Sequence, residues 1–540
     1  MALGGPAGTH APVLTDVNGD RFLETFMASP DGRLYAWQHD GARLISNTEV
    51  VKTVSFTGDT LTGPAAVFAE SAGSFFTAPV IADLEGDGTT DIITTDAEQV
   101  FVFTPIDADN DGRGDLKPGY PIRLIQPVTG GPIQTQTAVL SAPRLFRLGN
   151  GTFGIVVGTS TGGLFAFEPD GTVRFSINIS RNIDDRMTVP PTTADLDGDG
   201  LDELIVVLAS SGGGRIQVVN LSGLTLWTQS TGLLGRSSTP LVADIDGDQS
   251  FDVVVVGADG QVNAWTGTGE LKRGWPVSLG SEIGGPPAAG DIDEDGLPEI
   301  IMSGNNQLFA LHGNGTSVGN FPIIIDRVNP IGLIESSPVI GDLDGDRVPE
   351  ILVGLPNGSI AGYHADGRQV DGFPLGTSGA ISSTPALGDL TGNGDIAVII
   401  GSDDAFVHLW TFRGNPDALP WPMLGHDARR SGAATAVTQP PTPGSGDLLA
   451  SSSVFCYPNP VNGGSAGIRY RLNRNADQVR IRIFTLTGNL VEELSGSAIQ
   501  NQNEVKWNVS RVVSGIYLCQ VEARDATGVQ TLFCKIAVVK

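Results

Sequence analysis

Apolar and polar positions follow one recurring arrangement along most of this chain. A short apolar segment carrying proline leads into a loop of alternating acidic residues. A β-branched run comes next, then an Asp-Gly or Asn-Gly turn, a strand ending in an aromatic, another turn and a last strand. The stretch 193–208, TADLDGDGLDELIVVL, is the clearest copy of the first half. Short β-branched runs bounded by Gly, Pro and Asn read as strands, and an Asp-Gly or Asn-Gly pair between two of them reads as a tight reversal. The unit is roughly 48 residues long. Eight copies are legible between about residues 10 and 430.

Repeated units of four short antiparallel strands predict an all-β chain whose blades form a β-propeller, each burying its faces against its neighbours. Eight units imply eight blades, or seven if a terminal unit pairs elsewhere. Trp37, Phe167, Trp265, Tyr363 and Trp410 are expected to end the third strand of their units and to lie in the core between blades. An aromatic-Pro step is expected to begin the fourth strand at Tyr120-Pro121, Trp275-Pro276, Phe321-Pro322, Phe373-Pro374 and Trp421-Pro422. The first two units are longer than the rest, which places insertions at about residues 48–75 and 104–136.

The acidic loops carry the candidate chemistry. Oxygen ligands at loop positions 1, 3, 5 and 9 surround a hard cation, and glycines let the backbone turn tightly enough for them to converge. The first loop offers Asp16, Asn18, Asp20 and Glu24, and the second Asp83, Glu85, Asp87 and Asp91. The fourth offers Asp195, Asp197, Asp199 and Glu203, and the fifth Asp244, Asp246, Asp248 and Asp252. The sixth offers Asp291, Asp293, Asp295 and Glu299, and the seventh Asp342, Asp344, Asp346 and Glu350. An additional loop inside the second insertion repeats the spacing with Asp107, Asp109, Asp111 and Asp115. The third copy has Arg147, Gly149 and Gly151 at these positions and is expected to bind no metal. The eighth keeps only Asp389, Asn393 and Asp395, a weak site at best. Several structural calcium ions are therefore expected.

Charge supports that reading. The formal net charge is −28, and ten Lys/Arg against six Asp/Glu from residue 453 onward leave the deficit in the repeat region. An acidic body of this kind repels phosphates, which argues against a nucleic-acid partner. The 27 carboxylates of the candidate loops nearly account for the excess, and bound divalent cations would neutralise much of it. No apolar run is long enough to span a membrane. The N-terminus, MALGGPAGTHAPV, has no basic segment followed by an apolar one, so any export signal is expected upstream of residue 1.

Past the repeats (residues 1–435) comes a Pro/Ser/Gly-rich linker at 436–453. Residues 454–540 change character. IRYRL, QVRIRIF, EVKWNV, IYLCQVEA and TLFCKIAVV read as alternating strands of a small Ig-like β-sandwich. The chain's three cysteines, Cys456, Cys519 and Cys534, all lie here. A turn with Ala526-Thr527 at its tip would set Cys519 directly opposite Cys534, as a disulfide or as two buried free thiols.

The D-x-[DN]-G-[DN]-G-type loops ahead of β-branched strands resemble the FG-GAP/VCBS repeats of integrin-like propellers. That resemblance implies calcium held at the loop between two blade strands, cleanly for copies four to seven and with Asn18 and Glu85 as departures in copies one and two. The C-terminal segment resembles the type A sorting domain of the type IX secretion system, related to FlgD-like Ig folds. The resemblance rests on Tyr457-Pro458-Asn459-Pro460, IRIFTLTGNLV, Trp507, SGIYL at 514–518 and KIAVVK with Lys535 and Lys540. It implies the type IX machinery as a partner and a secreted or outer-surface bacterial protein made with a signal peptide.

Catalysis finds little support. His39, His312 and His364 recur after the third strand, His408 lies within the corresponding strand, and the His426-Asp427 pair has no nucleophile beside it. No H-E-x-x-H or Walker pattern is present. The reading that follows is a calcium-stabilised propeller for binding, adhesion or extracellular assembly, with a surface glycan, a protein or further copies of itself as partner. The alternative is a polysaccharide-active enzyme, or the accessory part of a secreted hydrolase.

Overall fold

The computed structural model describes residues 3, 10–42, 44, 67–70, 77–106, 108, 113–124, 141–149, 151–182, 184–434, 448–449, 454–457, 461, 464–472, 474–485, 488–499, 501–525 and 528–539. Among the described residues every regular element is a strand except one 3-10 turn at Arg236–Ser238. Two compact units result. One comprises Met1–Gly341, Pro349–Phe412 and Pro416–Val437, the other Asp342–Val348, Arg413–Asn415 and Thr438–Lys540.

Among the described residues of the first unit eight sheets follow one another along the chain, each an antiparallel meander. Seven have four described strands, and the last has three: Ala386–Gly388, Ile396–Gly401 and Val407–Phe412. The fourth sheet shows the plan, with Thr192–Ala194, Glu203–Ser210, Gly213–Val219 and Thr225–Thr231 paired in order. Its acidic loop joins the first two strands, in the register Thr193↔Leu204 and Ala194↔Glu203. Second strands such as Asp252–Val256 and Glu299–Ser303 are buried along their whole length. A continuous apolar run fits a strand covered on both faces. Each Val, Ile or Leu buried there contributes about 1.5–3 kcal/mol.

Shared hydrophobic clusters link neighbouring sheets. Ile93 and Val102 of the second sheet pack with Ile155 and Phe167 of the third. Phe373 stacks on Phe412 between the seventh and eighth, with ring centroids 5.3 Å apart. One cluster joins Phe26 and Leu34 of the first sheet to Ala386 and Ile399 of the eighth and to Ile92 of the second. The Leu23 N–H donates to the Leu390 carbonyl at 3.1 Å. The sheets are therefore blades of a β-propeller, as the repeats predict, and the eighth packs back onto the first.

The segment 416–434 has no counterpart in the expected blade plan. It follows the eighth sheet and runs along the innermost strands of several others. The N–H groups of Ile340, Leu387, Ile81, Thr193 and Val242 donate to the carbonyls of Trp421, Pro422, Ala428, Ser431 and Gly432. Arg430 reaches the Ala11 carbonyl at 2.8 Å. The segment crosses the ring from blade to blade through these backbone hydrogen bonds, and this corrects one expectation. Tyr120-Pro121, Trp275-Pro276, Phe321-Pro322 and Phe373-Pro374 do precede short fourth strands, Ile122–Arg123, Val277–Ser278, Ile323–Ile324 and Leu375–Gly376. Trp421-Pro422 instead belongs to the axial segment, where the Trp421 side chain is fully buried.

The second unit contains a sandwich of two sheets. Phe455–Tyr457, Ser465–Leu472 and Asn501–Asn508 form one, and Leu490–Gly496, Gln478–Thr485, Gly515–Asp525 and Gly528–Val538 the other. Trp507, Tyr470, Ile481, Val521 and Ile536 fill the space between them, and Trp507 meets Tyr517 edge-on at 5.5 Å. The five expected strands are present. Cys519 lies directly opposite Cys534, and all three cysteines are free thiols. Burial pushes the Cys456 thiol up to about 12, which keeps it protonated and unreactive.

Candidate metal centre

Each acidic loop is built by its first carboxylate. In the fourth loop Asp195 accepts the N–H of Gly198 on Oδ1 at 2.7 Å and that of Gly200 on Oδ2 at 3.0 Å. Asp197 and Asp199 accept the N–H groups two residues ahead, at 3.1 and 2.8 Å. Gly198 and Gly200 take φ of +80° and +87°, which side-chain-bearing residues rarely adopt. The first, fifth and seventh loops have Arg21, Gln249 and Arg347 at the second of these positions, at φ of +72°, +70° and +73°. The turn is kept there despite the backbone strain, with the N–H groups of Arg21, Gln249 and Arg347 donating to the first carboxylate at 2.9, 2.9 and 2.7 Å.

The ninth-position carboxylate opens the second strand. Glu24, Asp91, Glu203, Asp252, Glu299 and Glu350 are all buried. In the fourth loop one Glu203 oxygen accepts the Leu196 N–H at 2.9 Å. Burial, added to by the charges of Asp197, Asp199 and Asp195, pushes the Glu203 carboxyl up to about 7. Burial likewise raises Glu24 to about 7, and Glu299 to about 9 with the charges of Asp293, Asp291 and Asp295 behind it. Without a cation these sites resist ionisation.

The structure brings the candidate ligands together unevenly. One ligand atom from each of Asp195, Asp197 and Asp199 lies within 4.8 Å of the others, and the same holds for Asp244, Asp246 and Asp248 and for Asp342, Asp344 and Asp346. In the sixth loop Asp293, Asp295, Glu299 and His312 converge in the same way. Beside them the buried Asp291 Oδ1 has no hydrogen-bond partner. Converging carboxylate oxygens suit a hard, oxygen-seeking cation. Glu350 is buried and pairs with His364 at 3.1 Å. In the first loop the Asn18 amide donates to Asp20 at 3.2 Å and Glu24 at 3.4 Å.

In two loops a lysine bridges the carboxylates. Lys117 Nζ bonds Glu85 and sits 2.9 Å from Asp91. Lys272 Nζ lies 2.6 Å from both Asp246 and Asp252. Each ammonium bridges the third and ninth positions, where a metal would sit. Lys117 and Lys272 were missed in the sequence because they lie 26 and 20 residues beyond the ninth-position carboxylate. A signal for them does exist. Lysine accompanies Asp in the ninth position, whereas His312 and His364 accompany Glu, so the longer cation meets the shorter acid.

Breaking the fifth-loop pair has a measurable consequence. Lys272→Met leaves Asp252 buried and uncompensated, a loss of about 3–5 kcal/mol in chelator. Calcium should then recover part of it, because all four carboxylates become available. Urea unfolding in chelator and in calcium measures both, and an unchanged midpoint in chelator would refute the lysine's role.

The third loop keeps the backbone turn without the ligands, with Gly149 and Gly151 at φ of +77° and +87°. Its Arg147 pairs instead with Asp202 at 2.9 Å. The eighth loop repeats the turn through Asp389 and Gly394 at 2.7 Å. Of the additional loop, Asp107, Asp109 and Asp111 lie outside the described residues. Asp115 Oδ2 accepts the Ala108 N–H at 2.8 Å.

Comparison with known proteins bears on both units. Residues 456–535 match the secretion system C-terminal sorting domain. Residues 244–302 and 291–353 match the FG-GAP-like repeat. The chain thus carries FG-GAP-like repeats and a type IX sorting domain, which marks it for export to the cell surface or the extracellular space. No curated protein matches it. Among solved structures it is similar to Sqt1 of Saccharomyces cerevisiae, with 11% identity over 76% of this chain and 100% of that one, at a TM-score of 0.49. It is also similar to BamB of Moraxella catarrhalis, with 16% identity over 62% and 96% at 0.34. PorZ of Porphyromonas gingivalis, a surface component of the type IX secretion system, aligns over 96% of this chain and 74% of its own, with 16% identity at 0.32.

Proposed function

We propose that this chain is a calcium-stabilised propeller that works outside the cell as a binding, adhesion or assembly module. Residues 1–435 serve as the propeller, 436–453 as the linker and 454–540 as the sorting domain. The observation that carries this reading is the repetition of carboxylate loops at one place in successive blades, joined to an export domain. Asp16, Asp20 and Glu24 in the first loop, and the carboxylates of the fourth, sixth and seventh loops, would hold the ions. Calcium supplies positive charge that the acids otherwise lack, and the loops' own contribution is to fix those oxygens on rigid hairpins.

Loops that calcium has stiffened form a surface fit to hold a glycan, a protein or further copies of the chain. Purified full chain in calcium should give saturable binding to a glycan array or to cell surfaces, or should form larger species in light scattering that calcium promotes. Turnover of any member of a polysaccharide panel would overturn the reading in favour of an enzyme. A monomer that binds neither glycans nor cells would also reject it.

A further inference from the structure

A cavity of about 320 Å³ lies on the propeller axis, lined by residues from all eight repeats and by the axial segment. Proline, alanine and threonine make up nearly half of its lining, and two arginines open onto it. Arg144, from the first strand of the third sheet, is 4% exposed, and Arg430, from the axial segment, is 1% exposed. Among the described residues each makes one side-chain hydrogen bond, to a backbone carbonyl: Arg144 to Pro143 at 3.0 Å and Arg430 to Ala11 at 2.8 Å. Both Nε atoms are buried without a partner. Among the described residues neither guanidinium has a carboxylate within ion-pairing distance.

The Asp427 charge acts on Arg144 from a distance, but none of the other ionisable groups described nearby forms an ion pair with either guanidinium. Asp427 pairs with Arg429 at 2.8 Å and accepts the Ser431 N–H. His10 lines the same cavity, and burial together with the Arg430 charge lowers it to about 4, so it is neutral. Glu335 also lines the wall and has interactions of its own. Arg430 is moreover held at φ +51°, in the left-handed region. Two buried cations without an ion-pair partner cost several kcal/mol each unless something pairs with them. An arginine fork is shaped to pair with a planar or tetrahedral oxyanion.

We propose that the axial cavity binds a small oxyanion between Arg144 and Arg430. The volume is at the lower end of small-molecule sites. It exceeds what a bare inorganic ion needs and leaves room for a carboxylated monosaccharide, whose hydroxyls would meet Thr188 and Thr239. Free sulfate and an acidic sugar share the oxyanion chemistry.

Calorimetric titration of the full chain in calcium, at constant ionic strength, separates these sources with sodium sulfate, D-galacturonate and neutral D-galactose. Saturable binding of sulfate alone assigns an inorganic ion, and tighter binding of galacturonate assigns an acidic sugar. Galactose should give no saturable heat. Arg144→Met should weaken anion binding at least tenfold while melting no lower than the parent in anion-free buffer, because an unpaired buried charge has been removed. Selenate, located by anomalous scattering in crystals of the unmutated chain, should lie within hydrogen-bond distance of both guanidiniums. The proposal is overturned if no oxyanion binds, if Arg144→Met binds equally well, or if selenate avoids the axis.

Discussion

Chelating calcium should lower the melting temperature of the full chain by about 8 °C. Each site contributes about 2.7 kcal/mol when calcium stands at a hundred times its dissociation constant. Arg469 lies 3.1 Å from Asp346 of the seventh loop, whereas among the described residues the first, fourth and sixth loops have no lysine or arginine paired with their carboxylates, so these three sites together contribute about 8 kcal/mol. A propeller of roughly 430 residues has an unfolding entropy that turns about 1 kcal/mol into about 1 °C. The loss should also depend on pH, with a definite sign. Glu24 and Glu203 rise to about 7 and Glu299 to about 9 in the folded chain, chiefly through burial. Metal-free, these groups favour the folded state below their unfolded values and lose that contribution as pH rises through 7 and then 9. Calcium needs them ionised, so its contribution grows over the same interval. Calorimetric scans at pH 6 and pH 8, each with calcium and with chelator, test both statements. Equal melting temperatures with and without calcium at pH 8 would sink the calcium assignment.

How much of this was legible in the sequence depends on how far apart the partners lie. The loop ligands sit within nine positions of one another, so their spacing alone groups Asp195, Asp197, Asp199 and Glu203. The Cys519–Cys534 register was equally readable, because a tight turn fixes every pair up the hairpin. The lysine counter-charges were not, since Lys272 reaches Asp252 only after a complete hairpin has folded between them. Loops two and five therefore looked equivalent to the others by composition while differing from them in charge. The axial segment was illegible for another reason. PWPMLGHDARRSGAA has no strand or helix period, because its hydrogen bonds go to five different blades in turn rather than to one neighbouring strand. Trp421-Pro422 imitates the aromatic-Pro step of a blade, and only the three-stranded eighth sheet shows that it is spent elsewhere.

That displacement makes Trp421 the most consequential single side chain of the axial segment. It is 1% exposed and packs in the cluster that joins the fifth, sixth and seventh sheets. Its backbone exchanges hydrogen bonds with Ile340 at 2.9 and 3.2 Å, and its ring meets His426 edge-on at 5.2 Å. Trp421→Ala removes a large side chain where the surrounding first strands, held in a closed ring, have little freedom to collapse. The expected cost is therefore about 3–5 kcal/mol, the range for a large aromatic lost from a core. Trp421→Phe keeps most of the packing and also deletes the indole N–H, which is buried without a partner. Relief of that unsatisfied donor offsets part of the lost volume, so Phe should cost less than about 1.5 kcal/mol. Urea denaturation followed by far-UV circular dichroism measures both variants. If the axial segment is integral to the ring, Trp421→Ala should shift the single unfolding transition as a whole. A new early transition with the main one unmoved would mean that the segment detaches from a propeller able to stand without it.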